Sequence, residues 1–156
     1  MKIELLFVGS TKTDYVESAL QLYIKRLQRF CKVSVLCTPN LKGIKKPEDQ
    51  QEQEANQVLK SLGATDLMVL LDEKGKILDS VSFANYVEKN KNQGIQKMVF
   101  VICGAYGAHA MLKSRANLTL SLSAFTFSHQ LARVILAEQV YRAYTIINKH
   151  PYHNEG

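Results

Sequence analysis

The 156-residue chain contains no tryptophan, three prolines and three cysteines. Cys31, Cys37 and Cys103 lie far apart and form no Cys-x-x-Cys pair, so they predict reduced thiols rather than a disulfide framework. No hydrophobic run approaches the length of a membrane span, and the apolar N-terminal run is too short and interrupted for a signal peptide. These absences predict a cytoplasmic protein without a membrane segment.

Several glycine signatures are missing as well. The sequence has no GxGxxG dinucleotide motif, no GxxxxGK[ST] phosphate loop and no GxSxG nucleophile elbow. What is present is an ordinary globular composition, 46% hydrophobic and 22% charged, with a length typical of one domain spanning 1–156. The net charge of +6 is equally compatible with a polyanionic partner and with a solvated basic surface.

Hydrophobic periodicity predicts strands and helices in alternation along the chain. The predicted strands are 3–8, 33–37, 67–71, 98–103 and 118–122, and the predicted helices are 13–30, 48–62, 82–90, 108–115 and 129–147. Such alternation is typical of an α/β fold with a mostly parallel sheet flanked by helices. Ligands of these sheets bind beyond the carboxyl ends of the strands, which directs attention to the turns after Leu71, Cys103 and Leu122.

Two of these turns have compositions suited to a ligand. The turn 103–107, Cys-Gly-Ala-Tyr-Gly, would let a ligand approach the backbone, although a tight strand-to-helix turn explains it as well. The loop 122–127 interleaves small hydroxyl residues with apolar ones, which suits the edge and faces of a purine. The same loop is equally interpretable as a helix N-terminus capped by Ser128 or Thr126, and both interpretations can hold together.

The last helix and the tail suggest association and base contact. Helix 129–147 is apolar almost all round, which predicts a self-association surface, and Glu138 and Arg142 stand four apart and can pair. The tail 150–153, His-Pro-Tyr-His, invites a metal hypothesis, but Pro151 favours an extended tail and we expect no metal. Tyr152 and His153 are better suited to base stacking or proton transfer.

Taken together, these segments resemble the RlmH family of large-subunit rRNA methyltransferases over the whole chain. The resemblance is carried by MKIELLFVG at the N-terminus, LLDEKGK at 70–76, VFVICGAYG at 99–107, LSLSAFTFSHQLARVILAEQVYRAYTI at 120–146 and HPYH at 150–153. It implies a single SPOUT methyltransferase domain, a trefoil knot within about 66–156, a homodimer and the cofactor S-adenosylmethionine. The implied reaction is methylation of N3 of a pseudouridine in 23S rRNA, at helix 69 of the assembled ribosome.

The resemblance also implies site residues. Cofactor contacts would fall on Leu71, Cys103, Gly104, Leu122, Ser123, Ala124, Phe125, Thr126 and Phe127. Arg142, Tyr152 and His153 would lie near the target base as catalytic residues. His153 is a candidate for removing the N3 proton or orienting the base, and deprotonation by solvent with electrostatic help from Arg142 is an equal alternative.

Two positions depart from the family pattern. The family usually has glycine at the place of Cys103, and a cysteine there would cost roughly 1–2 kcal/mol if the backbone had a positive φ. Because Cys103 continues an apolar strand, we expect an ordinary φ and little cost. Ser128 replaces a usual proline, and both residues suit a helix start. Two other functions stay open: a non-catalytic basic RNA-binding or ribosome assembly factor, and a SPOUT methyltransferase acting on another RNA position.

Overall fold

A computed structural model describes residues 1–11, 13–41 and 43–152. Within these ranges, strands and helices alternate as the sequence predicts. The strands are β1 (Lys2–Phe7), β2 (Val33–Cys37), β3 (Leu67–Ile77), β4 (Lys97–Ile102) and β5 (Leu118–Ser121). The helices are α1 (Asp14–Leu27), α2 (Pro47–Lys60), α3 (Ser80–Asn92), α4 (Ala110–Arg115) and α5 (His129–Ile147).

The strands form one parallel sheet in the order β2-β1-β4-β3-β5, which confirms the predicted α/β class. Because the strands are parallel, the carboxyl ends of β3, β4 and β5 lie side by side at one edge. Alternate side chains of each strand point to opposite faces. Ile3, Leu5 and Phe7 belong to the core cluster shared with α1, α3 and α5, whereas Leu6 and Val8 belong to the cluster shared with α2 and α4.

Strand β3 is longer than the predicted strand 67–71. Leu71 and Lys76 both lie opposite Leu120 of β5, so the intervening residues bulge out before pairing resumes. A side chain on Gly75 would meet the backbone of Leu120 and Ser121 at 2.6–2.8 Å, so only glycine allows the bulge to rest on β5. The sequence prediction stopped at Leu71 because the charged segment that follows does not have the pattern of a buried strand.

Helix α5 packs most of its apolar surface inside its own chain. Its buried residues face the sheet, α1 and α3, and they include Leu136, Val140, Tyr144 and the fully buried Arg133. The α5 residues that are not buried include a stripe along one side of the helix, formed by Leu131, Val134, Ile135, Glu138 and Arg142. Burial in the core accounts for part of the apolar surface of α5, and the stripe is available for the self-association, which stays a prediction.

Two further expectations from the sequence concern a membrane span and a knot. In the part of the chain that the structure describes, no helix is long and apolar enough to cross a membrane. The trefoil knot implied by the family resemblance stays a prediction.

Candidate functional site

A cavity of about 550 Å³ lies beyond the carboxyl ends of β3, β4 and β5. Of the nine residues predicted to contact a cofactor, eight line it: Leu71, Cys103, Gly104, Leu122, Ser123, Phe125, Thr126 and Phe127. The ninth, Ala124, is exposed on the same loop and is not part of the lining. Three segments that are distant in sequence thus meet at the place where an α/β sheet binds ligands.

The turn after β4 forms one wall of the cavity. Among the described residues, Lys149 is the one non-glycine residue with a positive φ, so Cys103 has an ordinary backbone and its cysteine adds no strain. Burial, followed by the negative charges of Glu54 and Asp72, raises the pKa of the Cys103 thiol to about 12. The thiol is therefore protonated at neutral pH and cannot act as a nucleophile.

Helix α2 supports this turn from behind. The Gln51 side-chain amide donates a hydrogen bond to the carbonyl of Tyr106, and both residues line the cavity. The carboxylate of Glu54 lies against Gly104, where a Cβ would be 2.9 Å from Glu54 Oε2. Sequence reasoning did not find these contacts. The available signal was Glu54 itself, a charged residue on the same helical side as the buried Ala55 and Val58.

The β3 bulge supplies a charged wall. Asp72 accepts a hydrogen bond from the Lys74 backbone N–H at 2.9 Å and forms an ion pair with Lys113 of α4 at 3.1 Å. Burial alone would raise the pKa of Asp72, but these two partners lower it below its ordinary value of 3.8. The ionised Asp72 therefore ties the bulge to α4 and fixes the shape of the cavity.

The loop 122–128 closes the opposite side. The Phe125 backbone N–H donates to Ser123 Oγ at 3.0 Å, and the Ser121 hydroxyl donates to the Ser123 carbonyl at 2.9 Å. Ser128 caps α5 by accepting a hydrogen bond from the Leu131 N–H at 3.2 Å. The loop is therefore both a cavity wall and a helix N-terminus, and Ser128 is the cap that the sequence predicts.

Two of the three predicted catalytic residues, Arg142 and Tyr152, gather around Glu138 in a second cluster, the tail cluster, away from the cavity. Arg142 donates two hydrogen bonds to Glu138 Oε1, at 3.0 and 2.6 Å, which confirms the predicted pair, and the Tyr152 hydroxyl donates to the same oxygen at 3.2 Å. The Arg142 guanidinium lies 4.9 Å from the Tyr152 ring centre. His153 lies outside the described residues.

Within the described residues, the tail cluster of Glu138, Arg142 and Tyr152 does not reach the cavity. Neither Arg142 nor Tyr152 lines the cavity, whereas Ala132 of the same helix does. At about 1.5 Å of rise per residue, Arg142 is roughly 15 Å further along α5 than Ala132. Burial, with contributions from Tyr23 and Glu138, raises the pKa of the Tyr152 phenol to about 12, so this hydroxyl stays protonated at neutral pH.

Comparison with known proteins agrees with this architecture. The model of a family described as predicted SPOUT methyltransferases matches residues 1–153. Proteins named ribosomal RNA large subunit methyltransferase H are similar over the whole length: the one from Bacteroides thetaiotaomicron is 42% identical, covering 99% of this chain and 100% of its own. The one from Christiangramia forsetii is 38% identical over 99% of both chains.

A solved structure has the same fold. A probable methylase family protein from Haemophilus influenzae Rd KW20 matches with a TM-score of 0.58 and 11% identity, covering 98% of this chain and 70% of that one. The chain belongs to the SPOUT methyltransferase family, and the resemblance to the large-subunit rRNA methyltransferase H group is confirmed.

Proposed function

We propose that this chain methylates N3 of a pseudouridine in 23S rRNA, at helix 69 of the assembled ribosome, with S-adenosylmethionine as the methyl donor. The observation that carries the proposal is the cavity at the strand ends, which brings together three sequence segments that the family resemblance assigns to the cofactor. The full-length relatives named as large-subunit rRNA methyltransferases support the choice of substrate. The net charge of +6 is compatible with an RNA partner.

The cavity has the size and chemistry that this cofactor needs. Its volume of about 550 Å³ lies within the range of about 300–1,000 Å³ common for cofactor sites. Leu71, Leu122 and Phe127 offer apolar surfaces to the adenine faces, and Ser123 and Thr126 offer hydroxyls to its edge. Bound S-adenosylmethionine supplies a methyl group already activated on a sulfonium, so the protein's task is positioning and removal of a proton from N3.

The tail cluster supplies the groups for the base. Because the Tyr152 phenol stays protonated at neutral pH, it can stack on a base or donate a hydrogen bond but cannot take the N3 proton. His153 is the proposed proton acceptor or orienting group. The alternative is proton loss to solvent, with the positive charge of Arg142 stabilising the base anion.

A homodimer would bring the tail cluster of one copy to the cavity of the other. The tail cluster lies roughly 15 Å along α5 from the cavity of its own chain. We therefore propose that the tail of one copy completes the cavity of the other. Val134 and Ile135 of the α5 stripe lie between Ala132 of the cavity and Glu138 of the tail cluster, and with Leu131 they offer a partly exposed apolar surface for this contact.

Calorimetric titration with S-adenosylhomocysteine tests the cofactor assignment directly. We expect micromolar binding with one site per chain, and an absence of binding would favour the non-catalytic RNA-binding factor instead. Mass spectrometry of 23S rRNA from a deletion strain then tests the position. A lost methyl group elsewhere than on the helix 69 pseudouridine would indicate a SPOUT enzyme with another target.

His153→Ala tests the proton-transfer role. Single-turnover methylation should slow at least tenfold, and an unchanged rate would leave solvent as the acceptor. Mixing His153→Ala subunits with Gly104→Ala subunits should restore part of the activity if the sites are shared between copies. No recovery in the mixed population would contradict the shared site.

Metal dependence is tested with EDTA. Within the described ranges, no three His, Cys, Asp or Glu residues are grouped as metal ligands. We expect activity to survive chelation, and a loss restored by zinc would revive a metal role for the tail histidines.

A further inference from the structure

Glu54 is a buried carboxylate at the boundary between α2 and the cavity. The residue is 6% exposed, and its Oε1 accepts a hydrogen bond from Gln50 Nε2 at 2.7 Å. Its other oxygen, Oε2, is buried and has no hydrogen-bond partner in the described part of the chain. An unsatisfied buried carboxylate oxygen destabilises a fold, so its presence at a ligand cavity suggests a role in binding.

Glu54 does not line the cavity itself, but its carboxylate lies against Gly104, which does. Gly104 lines the cavity, and a Cβ built on it would lie 2.9 Å from Glu54 Oε2 and 3.2 Å from Oε1. The absence of a side chain on Gly104 therefore lets the carboxylate approach the cavity wall. Its charge also contributes, after burial, to raising the pKa of the neighbouring Cys103, which indicates that its potential extends across the turn.

The two carboxylates that line the cavity, Asp72 and Glu73, are offset by a cation or exposed. The negative charge of Asp72 is offset by the ion pair with Lys113, and Glu73 is exposed to solvent. Glu54 differs from both because it is shielded from water and forms no ion pair with any residue that the structure describes. A charge in such surroundings acts over several ångströms much more strongly than one at the surface.

We propose that Glu54 is a specificity-determining positioning residue whose carboxylate, acting across Gly104, favours the positively charged sulfonium cofactor over its neutral thioether product. The proposal rests on the proposed function, since it assumes that S-adenosylmethionine occupies this cavity. Methyl transfer converts the sulfonium to a thioether and so removes the charge that Glu54 attracts. The consequence is preferential binding of fresh cofactor over spent product.

The test is calorimetric titration of the full-length protein with three ligands. S-adenosylmethionine carries the sulfonium charge, S-adenosylhomocysteine lacks it, and sinefungin carries an ammonium at the corresponding position. Glu54→Gln should weaken binding of the two charged ligands about tenfold and change binding of S-adenosylhomocysteine less than twofold. Glu52→Gln removes the same charge from an exposed position of α2 and should change none of the three.

The outcomes separate this inference from the proposed function. If the wild-type protein binds none of the three ligands, the cofactor assignment fails and the inference fails with it. If the wild type binds them and Glu54→Gln weakens all three equally, or none, Glu54 only supports the turn and the inference is overturned. Should Glu54→Gln not fold, Glu54→Asp keeps the charge but retracts it by one methylene. Its preference for the charged ligands must fall partway, and an unchanged preference overturns the inference.

Discussion

The amino and carboxyl ends of the parallel sheet differ in how their polar groups are arranged: an ion-pair network lies at one end and a cavity at the other. At the amino end, Lys97 bridges Asp66 at 2.7 Å and Glu4 at 3.2 Å, and Lys2 and Ser34 add further contacts to Glu4 at 3.0 Å. At the carboxyl end lies a cavity of about 550 Å³, bordered by a buried carboxylate with an unsatisfied oxygen.

The backbone shows the same contrast. At the amino end the strands pair in regular register, with Lys2 opposite Lys97 and Leu67 opposite Met98, and β1 and β4 stay in register as far as Phe7 opposite Ile102. At the carboxyl end the register between β3 and β5 breaks at the bulge after Leu71. The bulge and the unpartnered oxygen of Glu54 both lie at the carboxyl end, beside the cavity. Irregular features of this kind concentrate at functional sites because the rest of the fold stabilises them.

The largest predicted effect comes from adding a side chain at Gly75, where the bulge of β3 packs against the β5 backbone. Gly75→Ala places a methyl group 2.6–2.8 Å from the β5 backbone, which cannot move as a flexible side chain could. We expect the free energy of unfolding to fall by about 3 kcal/mol, measured by urea denaturation. Binding of S-adenosylhomocysteine should weaken too, because the bulge forms a wall of the cavity.

Gly63→Ala is the matched control near the amino end. Its Cβ would lie 3.3 Å from the carboxylate oxygens of Asp66, which can give way. The loss should stay below about 1 kcal/mol. Equal losses for the two variants would mean that the bulge does not rest firmly on β5.

A smaller effect is expected from Arg133, which holds the carboxyl end of β1. Its guanidinium is fully buried and donates to neutral oxygens: Val8 O at 2.8 Å, Gly9 O at 3.1 Å and Thr11 Oγ1 at 2.9 Å. Arg133→Met keeps much of the volume but leaves the two carbonyls without these donors, so stability should fall by about 2 kcal/mol. Arg29→Met, at an exposed position of the chain, should cost almost nothing, and a similar loss there would remove the special role of Arg133.

The regular features of the fold were predictable from the sequence, whereas the irregular features at the carboxyl end were not. Periodicity located the strands and helices, and parallel pairing placed the turns after Leu71, Cys103 and Leu122 at one edge. The Ser128 cap and the Glu138–Arg142 pair were predictable because they depend on spacings of three and four residues. Local rules of this kind determine the regular parts of a fold.

The irregular parts depend on contacts between distant residues. The approach of Glu54 to Gly104 joins positions fifty residues apart, and the bulge rests on β5 across a similar separation. No local pattern encodes either contact. The proposed cofactor and base roles came from the family resemblance, and the separation of the tail cluster from the cavity became visible only in the structure.

A still smaller, pH-dependent effect is predicted at the amino end. Burial alone would raise the pKa values of Glu4 and Asp66, but hydrogen bonds from Lys97 and other donors lower them below 4.5 and 3.8. Lowered folded-state values stabilise the protein above the ordinary pKa, and this stability is lost as the pH falls through the folded-state pKa. Lys97→Met should therefore cost about 1 kcal/mol at pH 7, and the difference from wild type should shrink below about pH 4.

The control for this variant is Lys45→Met, which removes an exposed lysine. Urea denaturation of both variants between pH 3 and pH 8 is the measurement. A loss for Lys97→Met that is independent of pH would show that packing, rather than its two carboxylates, accounts for the effect.

The last prediction concerns the alkylation rates of the three cysteine thiols rather than the stability of the fold. Cys37 is exposed, Cys31 is partly buried, and burial raises the pKa of Cys103 to about 12. Because the thiolate is the reactive form, iodoacetamide at pH 8 should alkylate Cys37 first and Cys103 last, as followed by peptide mass spectrometry. S-adenosylhomocysteine should slow the alkylation of Cys103 further and leave the alkylation rate of Cys37 unchanged, since Cys103 is the one cysteine that lines the cavity. If Cys103 reacts as fast as Cys37 without ligand, the turn after β4 opens in solution, and the carboxyl end is looser than its contacts with α2 imply.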